Sequence, residues 1–222
     1  MKHIVFTPDR NKIGNDFVGA FEPEALRYAT YWKAQGDTVE IHPLRPTHSA
    51  AYVRTMLDAI KAAAPVDRLV FFCHGWKTGI QLGLSCDGTS AKLDLLDFAT
   101  EMEMVSTPSL KVALYACSTG ASSSSPSGDG GFADSLRDAL CMAGRPDVTV
   151  FAHSTAGHAS RNENVRFFAG HGNHVGGVGG DDIVAHKTPE FKRLYKRLHV
   201  VSDPLRWRLP YMTPDEIHTE LK

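Results

Sequence analysis

A chain of 222 residues, 42% hydrophobic and 22% charged, suits one sizeable α/β core better than two small domains. Its formal net charge of −1 gives neither the basic footprint of a nucleic-acid binder nor the acidic excess of a disordered tail. The opening MKHIVFTPDR has too short an apolar run for a secretory leader, and no later segment is long enough to span a bilayer. A cytoplasmic protein making no use of membrane or nucleic acid is therefore expected.

Residues 3–7, HIVFT, read as a first strand, followed by a loop carrying Asp9, Arg10 and Asp16. Residues 22–36 form a helical pattern, with Pro23 in the first turn and Gly36 at the C-cap. DTVEIH (37–42) alternates like an edge strand, and 49–64 carry a stripe of Val53, Met56, Leu57, Ile60 and Ala64 at helical spacing. RLVFFC (68–73) is apolar on both faces, as a central parallel strand would be. GIQLGLS (79–85) reads as a small hairpin arm, 90–103 as a helix, and LKVALYA (110–116) as a second central strand. ASSSSPSGDGG (121–131) is loop-like; 131–144 form a helix with Phe132, Leu136 and Leu140 on one face. Strands at 147–153 and 164–170 complete the regular part. The alternation predicts a three-layer α/β/α sandwich around a mostly parallel sheet of about six strands, in one domain whose core spans about 1–170. The remainder (171–222) is a Gly-rich loop, a docking helix with Phe191, Leu194, Tyr195 and Leu198, and a basic tail.

Functional groups in open α/β sheets collect outside the carboxyl ends of the strands. RLVFFC stops at His74-Gly75, and LKVALYA stops 43 residues later at Cys117, with Ser118 beside it. If the two strands are neighbours, an imidazole and a thiol meet across one crevice, where the imidazole can activate the thiol for acyl transfer. Gly75 lets its backbone N–H approach a substrate, so that with the Cys117 amide it can hold an oxyanion, worth about 3 kcal/mol per donor. The other cysteines, Cys73, Cys86 and Cys141, fit no CxxC site, and strand alternation turns Cys73 away from His74 into the core.

His74-Gly75 and Ala116-Cys117, each closing an apolar strand, resemble the dyad of the caspase-like cysteine peptidases. That clan includes caspases, metacaspases, gingipains, clostripain, separase and the CHAT group. Of the caspase pattern Q-A-C-x-G, the A-C pair is present; Tyr115 replaces Gln and the glycine is displaced to Gly120. The run from Ser118 through the Gly/Asp loop into an Ala- and Leu-rich helix is similar to the CHAT and gingipain side, and the match spans about residues 1–155. The resemblance implies a caspase-like fold and a cysteine endopeptidase needing no metal or other cofactor for its chemistry. His74 is then base and Cys117 nucleophile, and the Gly75 and Cys117 amides form the oxyanion hole. It also implies a charged P1 pocket fed by the loop after the first strand. There Asp9 and Asp16 favour a basic P1 residue of a peptide or protein substrate and Arg10 an acidic one; Asp87 is a further candidate.

Two other readings stay open. A116-C-S-T-G120 is also an A-x-S-x-G, the nucleophile elbow of serine α/β-hydrolases, with Ser118 as nucleophile and His153, His158, His171 or His174 as base. Against it, roughly ten loop residues separate Ser118 from the next helix, whereas an elbow runs straight into one. The third reading is a non-catalytic interaction module on the same scaffold. His171, His174, Asp181 and Asp182 match no standard zinc spacing, GVGGDD lacks the setting of a dinucleotide loop, and Asp129 reads as a helix cap. The basic tail, with Lys192, Arg193, Lys196, Arg197, Arg206 and Arg208, reads as a solvated face or as a surface for a protein partner.

Overall fold

A computed structural model describes residues 1–9, 19–44, 50–87, 93–122, 130–157, 162, 164–169, 182–183, 193–194, 197, 204–212, 216, 219–220 and 222. Its strands are β1 (Lys2–Pro8), β2 (Thr38–Leu44), β3 (Val66–Phe72), β4 (Gly75–Trp76), β5 (Gly79–Ile80), β6 (Ser106–Tyr115), β7 (Thr149–His153), β8 (Val165–Ala169) and β9 (Asp182–Ile183). Helices with all residues described are α1 (Phe21–Ala34), α2 (Ala50–Ala63), α3 (Leu95–Glu103) and α4 (Phe132–Met142), and 3-10 turns cover Pro204–Trp207 and Leu209–Tyr211.

The main sheet has the order β2-β1-β3-β6-β7-β8-β9. The pairings from β2 through β7 are all parallel, each made through a crossover connection rather than a tight hairpin. β8 and the two-residue β9 run antiparallel, because the short return from β7 leaves no room for a crossover helix. Six full strands and a mostly parallel sheet agree with the pattern read from the sequence. The sheet has a core on each face. On one, Met56, Leu57, Phe98, Met102, Leu136 and Leu140 from α2, α3 and α4 cover Ile4, Phe71, Leu114 and Val150. On the other, Tyr28 and Trp32 from α1 cover Val70, Phe72, Tyr115 and Phe151. Helices on both faces make a three-layer α/β/α sandwich.

Local chemistry moves several boundaries. α3 starts at Leu95 rather than near residue 90, because Asp94 adopts an extended backbone and its carboxylate accepts from the Leu96 amide at 2.8 Å. β6 begins four residues before the predicted strand, through a register shift opposite Val66 and Arg68. The arm expected at 79–85 is a hairpin of β4 and β5, placed just after His74.

The second core does not end with β8. Leu194, Trp207, Leu209 and Met212 lie in it, and the Trp207 ring stands edge-on to Tyr28, Phe72 and Tyr115 at 5.7–5.9 Å. Arg206 is buried with it, reaching Glu24 of α1 at 3.3 Å, so this part of the basic tail is internal, while Arg197 and Arg208 pair with Glu220. The rest of the docking-helix segment and most of 170–182 lie outside the described residues, as do His171, His174 and Asp181.

At the amino ends of the strands, His3 joins Tyr28 at 2.9 Å and Asp37 at 3.0 Å, and the Arg68 guanidinium sits 4.1 Å from both the Trp32 and Tyr211 rings. Burial and the Arg68 charge lower His3 to about 4, so its imidazole is neutral near pH 7.

Candidate active site

β3 and β6 are neighbours, with Phe72 opposite Tyr115. His74 and Cys117 each follow that pair by two residues. Phe72 and Tyr115 share the α1 face, their rings stacked 4.5 Å apart, just before the two strands end. The His74 ring stands edge-on to Phe21, the first residue of α1, at 4.9 Å between ring centres. Cys73 goes the other way. It is fully buried among α2, α3 and α4, and burial pushes its thiol far above the ordinary range, which makes it an inert core residue.

The two strand ends touch through Gly75. A β-carbon there would lie 2.7 Å from Thr119 Cγ2 and 2.9 Å from both Ala116 Cβ and the Cys117 carbonyl oxygen. Only glycine lets the chain after His74 come this close to the chain around Cys117. Gln81 fastens the histidine's backbone from the hairpin: its Oε1 accepts from the His74 amide at 3.3 Å and its own amide donates to the His74 carbonyl at 3.0 Å.

Cys117 opens a turn over residues 117–120. Inside the turn, Thr119 Oγ1 donates to the Ala116 carbonyl at 3.0 Å and the Ala121 amide to the Ser118 carbonyl at 3.1 Å. From outside, the Ser118 and Gly120 amides donate to the Thr155 and His153 carbonyls at 3.1 and 2.8 Å, and the buried Arg166 donates to the Gly120 carbonyl at 3.1 Å. Ser118 has φ of +56°, among the described residues the one non-glycine in the left-handed region. The amino end of α4 ties both halves together. Its Phe132 amide donates to Lys77 in the hairpin at 2.8 Å, and its Ala133 amide donates to Thr119 at 2.9 Å. The Cys117 thiol donates to the Gly157 carbonyl, beyond β7, at 3.3 Å.

Asp9 follows β1, the other neighbour of β3, and the Phe6–Phe71 register sets it level with His74. Its amide donates to the Leu44 carbonyl at 2.8 Å. Asp16, Arg10 and His158 lie outside the described residues. Asp87 accepts from Ser85 Oγ at 2.6 Å and Thr78 Oγ1 at 3.1 Å, closing the loop after β5. His153 is buried at the end of β7, one row below Cys117. Asp129 lies outside the described residues; Asp134 does a related job, its carboxylate accepting from the Gly130 amide at 2.7 Å. Among the described residues no helix follows the 117–120 turn before α4, unlike a nucleophile elbow. Nor do His, Cys, Asp or Glu gather there into a group of three able to hold a metal. No helix among them is long and apolar enough to cross a membrane.

The sequence signalled the His-Gly and Ala-Cys ends but not their clamps. Phe21, Gln81, Lys77, Gly157 and Asn162 come near the site only through pairing of distant segments, and none sits in a recognisable motif. A cleft of about 270 Å³ lined by Cys86, Asp94, Leu96, Asp138 and Met142 lies on the opposite side of the sheet, between α3 and α4.

No protein-family model matches the chain, and no curated protein does. Solved structures are similar to the chain. One of them is a secreted C11 cysteine protease from Bacteroides thetaiotaomicron in complex with an irreversible peptide inhibitor. Identity is 13% and the TM-score 0.40; the match covers 69% of this chain and 48% of that one.

Proposed function

We propose that this protein is a cysteine endopeptidase of the caspase-like kind, with His74 and Cys117 as its dyad. The observation that carries the reading is that His74 and Cys117 each follow two residues after the paired ends of adjacent parallel strands, with Gly75 packed onto the Cys117 backbone. In the reaction His74 takes the thiol proton, and the sulfur attacks the scissile carbonyl carbon. The Gly75 and Cys117 amides receive the developing oxyanion. The imidazolium then gives its proton to the leaving amine, forming a thioester. Water, deprotonated by His74, attacks that thioester and releases the acid and the free thiol. Asp9, level with His74, and Asp16 on the same loop supply negative charge for a basic P1 side chain. The proposal extends to the CHAT and gingipain side of that clan, to peptide or protein substrates in the cytoplasm, and to a protein partner on the basic C-terminal segment.

The test is chemical. The protein and its His74→Ala variant are incubated with iodoacetamide and, separately, with a fluorophosphonate, and the adduct is located by peptide mapping. Labelling at Cys117 that slows at least tenfold in the variant supports the dyad. Equal labelling of both proteins would refute it. One observation favours a second reading: the left-handed φ of Ser118 in A-x-S-x-G is the backbone strain of a serine nucleophile. Fluorophosphonate labelling at Ser118 would establish that reading instead.

A further inference from the structure

β3 makes its last pairing with β6 at Phe72, two residues before His74. The main-chain N–H and C=O of His74 therefore lie past the ladder that fixes the strand, and a half-buried strand end needs partners for both. One residue supplies them. The Gln81 amide donates to the His74 carbonyl at 3.0 Å, and the Gln81 side-chain Oε1 accepts from the His74 amide at 3.3 Å. Gln81 does for His74 what a neighbouring strand does for the residues before it.

The segment that carries Gln81 is itself firmly held. Ile80, Leu82 and Leu84 are buried in the core beneath α2, α3 and α4. The Ile80 amide donates to the Leu84 carbonyl at 2.9 Å and the Gly83 amide to the Ile80 carbonyl at 3.1 Å. A β-carbon on Gly79 would lie 2.6 Å from the Leu84 carbonyl, so the hairpin closes as tightly as a glycine allows. Gln81 is 9% exposed, between two apolar anchors. A residue that only filled this space would be apolar like its neighbours, since an amide taken out of water costs stability unless it is hydrogen-bonded. The His74 ring meanwhile rests against Phe21 in the opposite core. The histidine is gripped by its backbone from one side of the sheet and by its ring from the other.

We infer that Gln81 is a positioning residue of this site: its side-chain oxygen fixes the His74 backbone beyond the end of the sheet and so keeps the imidazole where it serves Cys117. The inference rests on the peptidase reading. The role runs through the histidine, so it exists only while His74 is present. A contact of 3.3 Å belongs at the weak end of hydrogen bonds. Its loss shifts the balance between held and displaced His74 about threefold.

The experiment measures iodoacetamide alkylation of Cys117 at neutral pH, located by peptide mapping. It compares the full chain with Gln81→Met, Gln81→Glu, His74→Ala and the Gln81→Met/His74→Ala double variant. Methionine keeps the length of the side chain and loses the acceptor, whereas glutamate keeps both. The expected result is about threefold slowing in Gln81→Met and the parental rate in Gln81→Glu. Adding Gln81→Met to His74→Ala brings no further slowing. A residue serving stability alone would lower the urea midpoint and leave the rate of the folded protein unchanged, and one acting on Cys117 by another route would slow both backgrounds alike. Should Gln81→Met not fold, Gln81→Asn, one methylene too short for the same bond, reads the same loss. Three results overturn the inference while leaving the peptidase reading standing, provided that His74→Ala itself slows labelling. They are a parental rate in folded Gln81→Met, equal slowing in Gln81→Met and Gln81→Glu, and equal slowing with and without His74. Labelling unaffected by His74→Ala overturns both.

Discussion

Replacing Gly75 by alanine puts a methyl group at the point where the two strand ends meet. The added carbon lies 2.7 Å from a Thr119 methyl and 2.9 Å from Ala116 Cβ and the Cys117 carbonyl, where 3.4 Å is the onset of ordinary contact. Thr119 must therefore yield about 0.7 Å and the Cys117 backbone about 0.5 Å, distances fixed by van der Waals repulsion. Thr119 cannot simply rotate away, because its hydroxyl is tied to the Ala116 carbonyl. Overpacking of this kind costs about 1–3 kcal/mol. A misplacement of 1 Å costs about a hundredfold in rate, so half of that predicts about a tenfold loss. Urea denaturation measures the first quantity, and alkylation of Cys117 in folded protein the second. A variant within about 0.3 kcal/mol of the parent, alkylated at the parental rate, would show that the strand ends separate freely and that the close approach at Gly75 does not set the site.

Three further expectations concern the scaffold. Glu24→Ala leaves the buried Arg206 without its carboxylate and destabilises the fold by about 3 kcal/mol in urea denaturation, whereas exposed Arg27→Ala costs well under 1. Trp207→Ala opens a cavity against Tyr28, Phe72 and Tyr115 and costs about 3–5 kcal/mol. Protease cleavage in the C-terminal segment, ahead of global unfolding, identifies that loss with local release. His3 binds its proton at about 4 in the fold and at 6.5 when unfolded, so between those values the unfolded chain holds the extra proton. Stability is complete above pH 6.5 and falls as pH drops toward 4, by about 3 kcal/mol. Urea midpoints at pH 7, 5.5 and 4 that fall less steeply in His3→Gln than in the parent assign the loss to this imidazole.

Much of the sheet was legible because its strands are buried on both faces: runs such as LVFF and VALY have few other folded states available. The adjacency of the two central strands followed from their order in the chain. The antiparallel return of β8 and the early start of β6 were not legible, since each depends on the path of a neighbouring strand. Arg206-Trp207 is the clearest misreading. A cation beside an aromatic looks like surface, yet here Glu24, 182 residues away, neutralises the charge and α1 covers the ring. At the site, catalytic residue types advertise themselves by motif, whereas the groups that hold them, Gln81, Asn162 and the Gly157 carbonyl, are ordinary amides whose importance exists only in the folded chain.

The burial of Trp207 against α1 has a consequence for how the molecule is made. Strands β1 to β7 are complete by residue 153, but the Trp207 cover over Tyr28, Phe72 and Tyr115 arrives more than fifty residues later in the chain. Closing so wide a loop is slow, because its entropy is lost before its contacts form. During synthesis an aromatic face remains bare while the crevice above it is already assembled. That face is covered only once residues 204–212 have emerged and folded back onto it.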